Sequence, residues 1–349
     1  MAKTIVGIDI SASGLRAVEM VAGGRAQPAL LRHHAIPLPA GAVSRGEVVE
    51  KDTVSTALKQ LWSGGKFASK NVIIGIGNAR VFARNLSVPK MSIDLIRESL
   101  PFQVQDMIPF PAEDAVLDFY PISESVGESG QVVNGLLVAA VREAVLGNVN
   151  AVQLAGLNPV DVDLIPFALA RTFQRGSRSA GTSAVIDVGA NTTTVVVSTE
   201  GVPQFVRIIP TGGSDLTAAL SSKLGVAIEQ AELMKRSVGL APSRQEDRAI
   251  GSATMELTGE LMNSLRTTLA FFASGKQSTS HIGHIVLTGG GANLPGFATA
   301  LAEFTRVPVA IGDPLDAVSV NGRVQRASLG NGVGANYSVA IGLALWAAA

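Results

Sequence analysis

Two segments whose aspartates lie 178 residues apart share one local design: Gly7-Ile8-Asp9-Ile10-Ser11-Ala12-Ser13-Gly14-Leu15-Arg16 and Val185-Ile186-Asp187-Val188-Gly189-Ala190-Asn191-Thr192-Thr193-Thr194. In each, an apolar run of the kind that fills a buried strand delivers an aspartate into a tight loop of small residues. A second apolar run leads away. Such a hairpin presents consecutive backbone N–H groups that small side chains leave open to phosphate oxygens. One copy constrains little, but two at half-chain spacing point to duplicated α/β lobes closing on a nucleotide from opposite sides. A chain of 349 residues has the length for two such lobes.

The charge balance narrows the partners. With 28 basic and 28 acidic side chains and no long run of either sign, no polyanion-binding surface is expected, and nucleic acid is not an expected partner. Zero cysteines rules out disulfides and thiolate metal sites. The start Met1-Ala2-Lys3-Thr4 enters a strand directly and shows no export signal. The longest apolar run, Val339 to Ala349, is too short to span a bilayer, so a cytoplasmic protein without direct membrane insertion is expected.

Periodicity gives an alternating α/β order. Strands are expected over Thr4–Ile10, Leu15–Val21 and Asn71–Ile76, with a helix over Thr53–Trp62. From Val81 the pattern changes to a small α+β insertion: strand Val81–Val88, helix Ile93–Met107, strand Ala115–Ile122, a polar turn over Ser123–Gly130 and strand Val132–Val141. A helix Glu143–Ala155 and a strand Pro159–Leu164 are expected to close it. Beyond the second aspartate loop come strands Val195–Ser198 and Gln204–Ile209, helices Leu216–Leu224, Ile228–Val238 and Ala249–Ala273, strand His284–Thr288, and a terminal helix Ser338–Trp346 that can pack back on the first lobe. The expected division is 1–180 plus 318–349 as first lobe, with the insertion at about 80–165, and 181–317 as second lobe.

Competing glycine motifs fail. Gly65-Lys66 and Gly275-Lys276 have Gln60 and Ala270 where a Walker A loop needs glycine. Gly289-Gly290-Gly291 and Gly75-Ile76-Gly77 have Leu294 and Arg80 where a dinucleotide fingerprint needs its third glycine. No Gly-x-Ser-x-Gly elbow occurs, and the four histidines form no zinc-protease motif.

What survives is a nucleotide cleft. The two aspartate loops, Thr288–Gly296 and Ala340-Ile341-Gly342-Leu343-Ala344 resemble the signature of the actin, Hsp70 and sugar-kinase superfamily. Within it, Ile108-Pro109-Phe110-Pro111, Val116-Leu117-Asp118-Phe119, Ala155-Gly156-Leu157, Pro166–Arg171 and Ile209-Pro210-Thr211-Gly212-Gly213 resemble the PilM family, FtsA-like proteins of type IV pilus assembly. The resemblance implies an actin-like two-lobed ATPase fold of duplicated RNase H-like domains with a small inserted subdomain, binding ATP or ADP with Mg²⁺. Ser11, Ser13, Gly14, Gly189, Asn191, Thr192 and Thr193 would cradle phosphates, and Asp9 and Asp187 would face Mg²⁺ through water. Arg16 would reach back to the phosphates. Gly289, Gly290, Gly291 and Asn293 would lie against adenosine. By the same resemblance Glu229, Glu232 and Lys235 would contact ribose and adenine; a solvated helix face is the competing reading. Gly212 and Gly213 suit either phosphate contact or a plain strand-to-helix turn capped by Ser214 or Asp215.

Two departures bear on turnover. Ser11 stands where the superfamily's first loop commonly has glycine, and Ile165 where PilM-like chains more often carry an acid, which leaves no side chain to position attacking water. Slow or absent ATPase activity is expected. The family also implies a partner: the cytoplasmic N-terminal segment of the membrane protein PilN, held beside the insertion, which would tether the protein under the inner membrane. An FtsA-like division or filament-forming protein, with homo-oligomers, and a sugar or small-molecule kinase remain alternatives on the same fold.

Overall fold

A computed structural model describes residues 4–21, 28–127, 130–275, 281–320 and 334–346. Its architecture follows from one sheet pattern used twice. In the first, β1 (Thr4–Ser11), β2 (Gly14–Val21) and β3 (Ala29–Ile36) form an antiparallel meander. A short hairpin, β4 (Val43–Ser44) and β5 (Glu47–Val48), and helix α1 (Lys51–Gly65) lead to β6 (Asn71–Ile76), which lies parallel to β1. The insertion follows: β7 (Val81–Pro89), α2 (Ile93–Gln103), β8 (Ala115–Gly127) and β9 (Gly130–Val141), a three-stranded sheet in the order β7-β9-β8. Helix α3 (Arg142–Leu154) then leads to β10 (Asn158–Leu164).

Helix α4 (Ile165–Phe173) carries the chain into the second meander, β11 (Thr182–Val188), β12 (Thr193–Thr199) and β13 (Val202–Ile209). Helices α5 (Gly213–Leu224), α6 (Ile228–Val238) and α7 (Arg248–Ser274) precede β14 (His284–Thr288), parallel to β11. Then come α8 (Phe297–Thr305), β15 (Val309–Ile311), β16 (Ser319–Val320) and α9 (Ser338–Leu345). The sheet orders are β10-β6-β1-β2-β3-β16 and β13-β12-β11-β14-β15. In both, the aspartate strand has its hairpin partner on one side and parallel strands on the other, as buried Val-, Ile- and Leu-rich runs require.

Two glycines set how α9 seats on β1 and on α4. A Cβ on Gly7 would sit 2.2 Å from the Ala340 carbonyl oxygen of α9, so the glycine before Asp9 exists to seat that buried helix on β1. A Cβ on Gly342 would lie 2.0 Å from the Ala168 carbonyl oxygen, which is how α4 and α9 cross in contact. Pro166 suits the first turn of α4, where its missing N–H costs nothing.

Three expectations need correction. The helix and strand expected to close the insertion belong elsewhere: α3 packs on α1, and β10 pairs with β6 at the edge of the large sheet. The insertion's own sheet therefore runs only from residue 81 to 141. The polar turn expected over 123–130 is mostly strand, since pairing continues from Ser123↔Asn134 to Gly127↔Gly130; residues 128 and 129 lie outside the described residues. Helix α7 begins at Arg248, one residue before its expected start.

Candidate functional site

The two aspartate strands end on a common cavity of about 680 Å³, the size of a nucleotide or drug-sized ligand site. Asp9 pairs with Arg16 across β1 and β2, and Asp187 pairs with Thr194 and, across the parallel side, with Thr288. The first turn is tight: Ser11 faces Gly14 across a two-residue loop. The second spans four residues and is closed by the Gly189 N–H donating to the Thr192 carbonyl at 2.9 Å.

Arg16 organises the first turn. Its guanidinium donates to Ser11 Oγ and Ser13 Oγ, each at 3.0 Å, and lies 3.5 Å from the Asp9 carboxylate. The fork that was expected to reach the phosphates thus holds its own loop, with its face still in the cavity wall. Burial raises the Asp9 pKa, and Arg16 opposes the rise. Asp187 is pushed up to about 7, first by burial and next by the Asp9 charge. Two buried carboxylates with one guanidinium, itself beside Asp9, are short of positive charge.

That shortage fits a divalent cation. Among the described residues no cluster of three or more His, Cys, Asp or Glu can hold a metal by protein ligands alone. A two-carboxylate site instead matches Mg²⁺, which retains waters and shares its shell with substrate phosphates. Asp9 and Asp187 are the residues that would hold it.

The remaining wall comes from loops tied to the second hairpin. The Gly213 N–H donates to the Gly189 carbonyl (2.9 Å), Ser214 N–H to Ala190 (2.7 Å), and Thr193 Oγ1 to Thr211 (2.7 Å). Gly212 caps α5, its N–H donating to Asp215 Oδ2 at 2.8 Å. Gly212 and Gly213 therefore serve as helix start and cavity wall together. On α6, Lys235 Nζ bonds Gly213 O (2.9 Å), Thr217 Oγ1 (2.7 Å) and Glu232 (2.6 Å), while Arg236 Nε donates to Glu232 at 2.6 Å. These bonds hold Glu232 below the usual carboxylate range against the opposing effect of burial.

Of the expected residues, Asp9, Ser11, Ser13, Arg16, Asp187, Gly189, Asn191, Thr192, Gly212, Gly213, Glu232, Lys235, Gly289, Gly290, Gly291 and Asn293 all line this cavity. Three do not. Gly14 is buried at φ +142 with Ile36 O 2.4 Å from where a Cβ would stand, so its role is strand packing. Thr193 is wholly buried and spends its hydroxyl on Thr211. Glu229 points to solvent one turn before the cavity-facing part of α6. Sequence reasoning missed Thr194, Thr211 and the α7 residues Leu257, Glu260 and Leu261, which also form the wall. The alternation Thr193-in, Thr194-out along β12 was the available signal for the first. Ile165 packs on Gly75 and Gly77 and faces the cavity, so an apolar side chain stands at the start of α4.

The sequence model of the family described as "Type IV pilus assembly protein PilM" matches residues 7–348. The chain belongs to the PilM family. A chain of a solved "PilM-PilN type IV pilus biogenesis complex" is similar over 99% of this chain and 98% of its own length, at 30% identity and a TM-score of 0.84. EutJ, an ethanolamine utilization protein from Carboxydothermus hydrogenoformans, covers 99% of this chain and 90% of its own at 17% identity and TM-score 0.57. MreB 5 of Spiroplasma citri bound to AMPPNP covers 98% and 95% at 11% identity and TM-score 0.56. These two show the fold alone. The cell division protein FtsA of Pseudomonas aeruginosa is 24% identical over 95% of this chain and 88% of its own length. FtsA of Bacillus subtilis is 22% identical over 58% of this chain, which spans about half the length of that relative. The fold is thus the actin-like, two-lobed α/β fold with a small α+β insertion.

Proposed function

We propose that the protein is an ATP- or ADP-binding scaffold of the type IV pilus inner-membrane platform that takes up the N-terminal segment of PilN beside its insertion. The observation that carries the nucleotide half is the convergence of both aspartate hairpins on one 680 Å³ cavity. In this reading residues 1–180 with 318–349 form the first lobe and 181–317 the second, in keeping with the strands of 4–36, 71–76, 158–164 and 319–320 in one sheet and those of 182–209 and 284–311 in the other. Asp9 and Asp187 hold the hydrated Mg²⁺, the small residues of both turns approach the phosphates, and Glu232 and Lys235 face the ribose.

The partner half is supported by family membership and by a second cleft. About 370 Å³ opens between the insertion's sheet and Gln204 of β13. Its wall carries no charge: Leu86 and Ile122 stand beside Ser123, Ser125, Asn134 and Gln204, and Asn134 Nδ2 donates to Ser125 Oγ at 2.9 Å. Amides and hydroxyls of this kind suit the backbone of an extended peptide. Among the described residues no helix is long and apolar enough to cross a membrane, so PilN would supply a cytoplasmic, peripheral location at the inner membrane. With Ile165 where an acid would orient water, hydrolysis is slow, and nucleotide acts by shifting lobe closure. Titration of a synthetic PilN N-terminal peptide, with and without Mg-ATP, checks the assignment: binding that tightens with nucleotide supports it, and no binding in either condition removes it.

A further inference from the structure

We propose that Arg45, at the tip of the β4–β5 hairpin, is a positioning residue that fixes the spacing of the two aspartate hairpins and thereby slows escape of whatever occupies the cavity. Arg45 belongs to the first sheet's side of the molecule, yet its guanidinium donates to the carbonyl oxygen of Pro210, which directly follows β13, and stands 3.6 Å from Oδ1 of Asp215 in the first turn of α5. The link joins two stiff bodies. On one side, Arg45 (φ 48) and Gly46 (φ 83) make a two-residue turn with both residues left-handed, the geometry that suits a twisted hairpin. The hairpin is pinned by Arg80 Nε donating to Glu47 at 2.8 Å and by Val48 N–H donating to Asn148 Oδ1 at 3.1 Å. A Cβ on Gly46 would fall 2.9 Å from Gly77 O, so the tip rests directly on the end of β6.

On the other side, the 210–215 loop is bonded to the Asp187 hairpin at Gly189 and Ala190, and Asp215 at the same time caps Gly212. A pull on Pro210 and Asp215 is therefore a pull on the second aspartate hairpin. Gly46 and Asp215 both line the cavity, which puts the link at its mouth. Arg45 is 51% exposed. An ion pair that exposed is screened by salt and easily broken, as a gate must be.

The absence of cysteine allows a direct test. Spin labels on Lys59→Cys of α1 and Ser222→Cys of α5, both exposed, report the distance between lobes in the nucleotide-free protein. In Arg45→Ala, and equally in Arg45→Gln, which keeps a polar side chain without the charge, the distance distribution should broaden toward longer values, and 0.5 M salt should produce the same change in the parent. Release of a fluorescent ATP analogue should accelerate about tenfold in both variants. This second readout rests on the nucleotide reading: if the parent fails to bind the analogue, that reading fails while the distance measurement still judges the link. Unchanged distance distributions in both variants overturn the proposal, as do release rates within twofold of the parent's.

Discussion

Asp187 is held where ionisation is costly, and its environment sets a pH signature. Its pKa is raised from 3.8 to about 7, by burial first and by the Asp9 charge second. A raised carboxyl pKa means that the folded state binds the proton more tightly than the unfolded chain. The group costs nothing below about pH 4, costs progressively more as pH rises to about 7, and carries its full penalty above that. For a shift this size the penalty is on the order of 4 kcal/mol. Asp187→Asn should therefore raise the Tm of the nucleotide-free protein at pH 8 by roughly 4–10 °C, leave it unchanged at pH 4, and abolish Mg-dependent nucleotide binding; melts across pH with and without Mg-ATP check all three. Gly289 makes a related demand. At φ +82, a Cβ there would lie 2.5 Å from Asp187 Oδ1. Gly289→Ala should displace that carboxylate and weaken nucleotide binding at least tenfold, on the order of 1.4 kcal/mol or more, as read by calorimetry.

At the scale of elements, the α4–α9 crossing links the two sheets, since α9 packs on β1 and α4 also packs on β12. Gly342→Val would drive a side chain into the Ala168 carbonyl, and overpacking of that kind costs about 3 kcal/mol or more; chemical denaturation should show a lower midpoint or no folded protein. Lys235→Met should loosen α5 from α6 by about 1–3 kcal/mol, because Thr217, Glu232 and the Gly213 carbonyl lose their common donor. Elements that bury an uninterrupted apolar run were legible from sequence: β6 and β14 fall where the pattern puts them. Strand β3 was not, since Arg32, His33 and His34 break its pattern. Arg32 is there for a tertiary reason, an ion pair at 2.6 Å with Glu19, a fully buried carboxylate on β2. Helix α8 is nine residues with no side-chain cap, and β4 and β5 are two residues each, too short for periodicity to register. Arg45 was invisible for that reason. Gly14 and Thr193 were legible as loop residues but not as packing residues, because what each touches, Ile36 and Thr211, lies on another strand or beyond its end.

For the whole molecule, the duplicated sheet pattern brings the two aspartates, 178 positions apart in sequence, to the floor of one cavity. Sequence spacing disclosed the duplication, whereas the supporting wall from α7 depended on how a long helix lies across the second lobe. The insertion's sheet, residues 81–141, leaves its cleft against β13, the strand that leads into the loop at 210–212. In the proposed function the two aspartate hairpins clamp one Mg-nucleotide. Isothermal calorimetry of the full chain with Mg-ATP should show one nucleotide per chain, with binding lost on removing Mg²⁺ and in Asp9→Ala and Asp187→Ala alike. No heat at millimolar Mg-ATP, or binding that survives both substitutions, would contradict it.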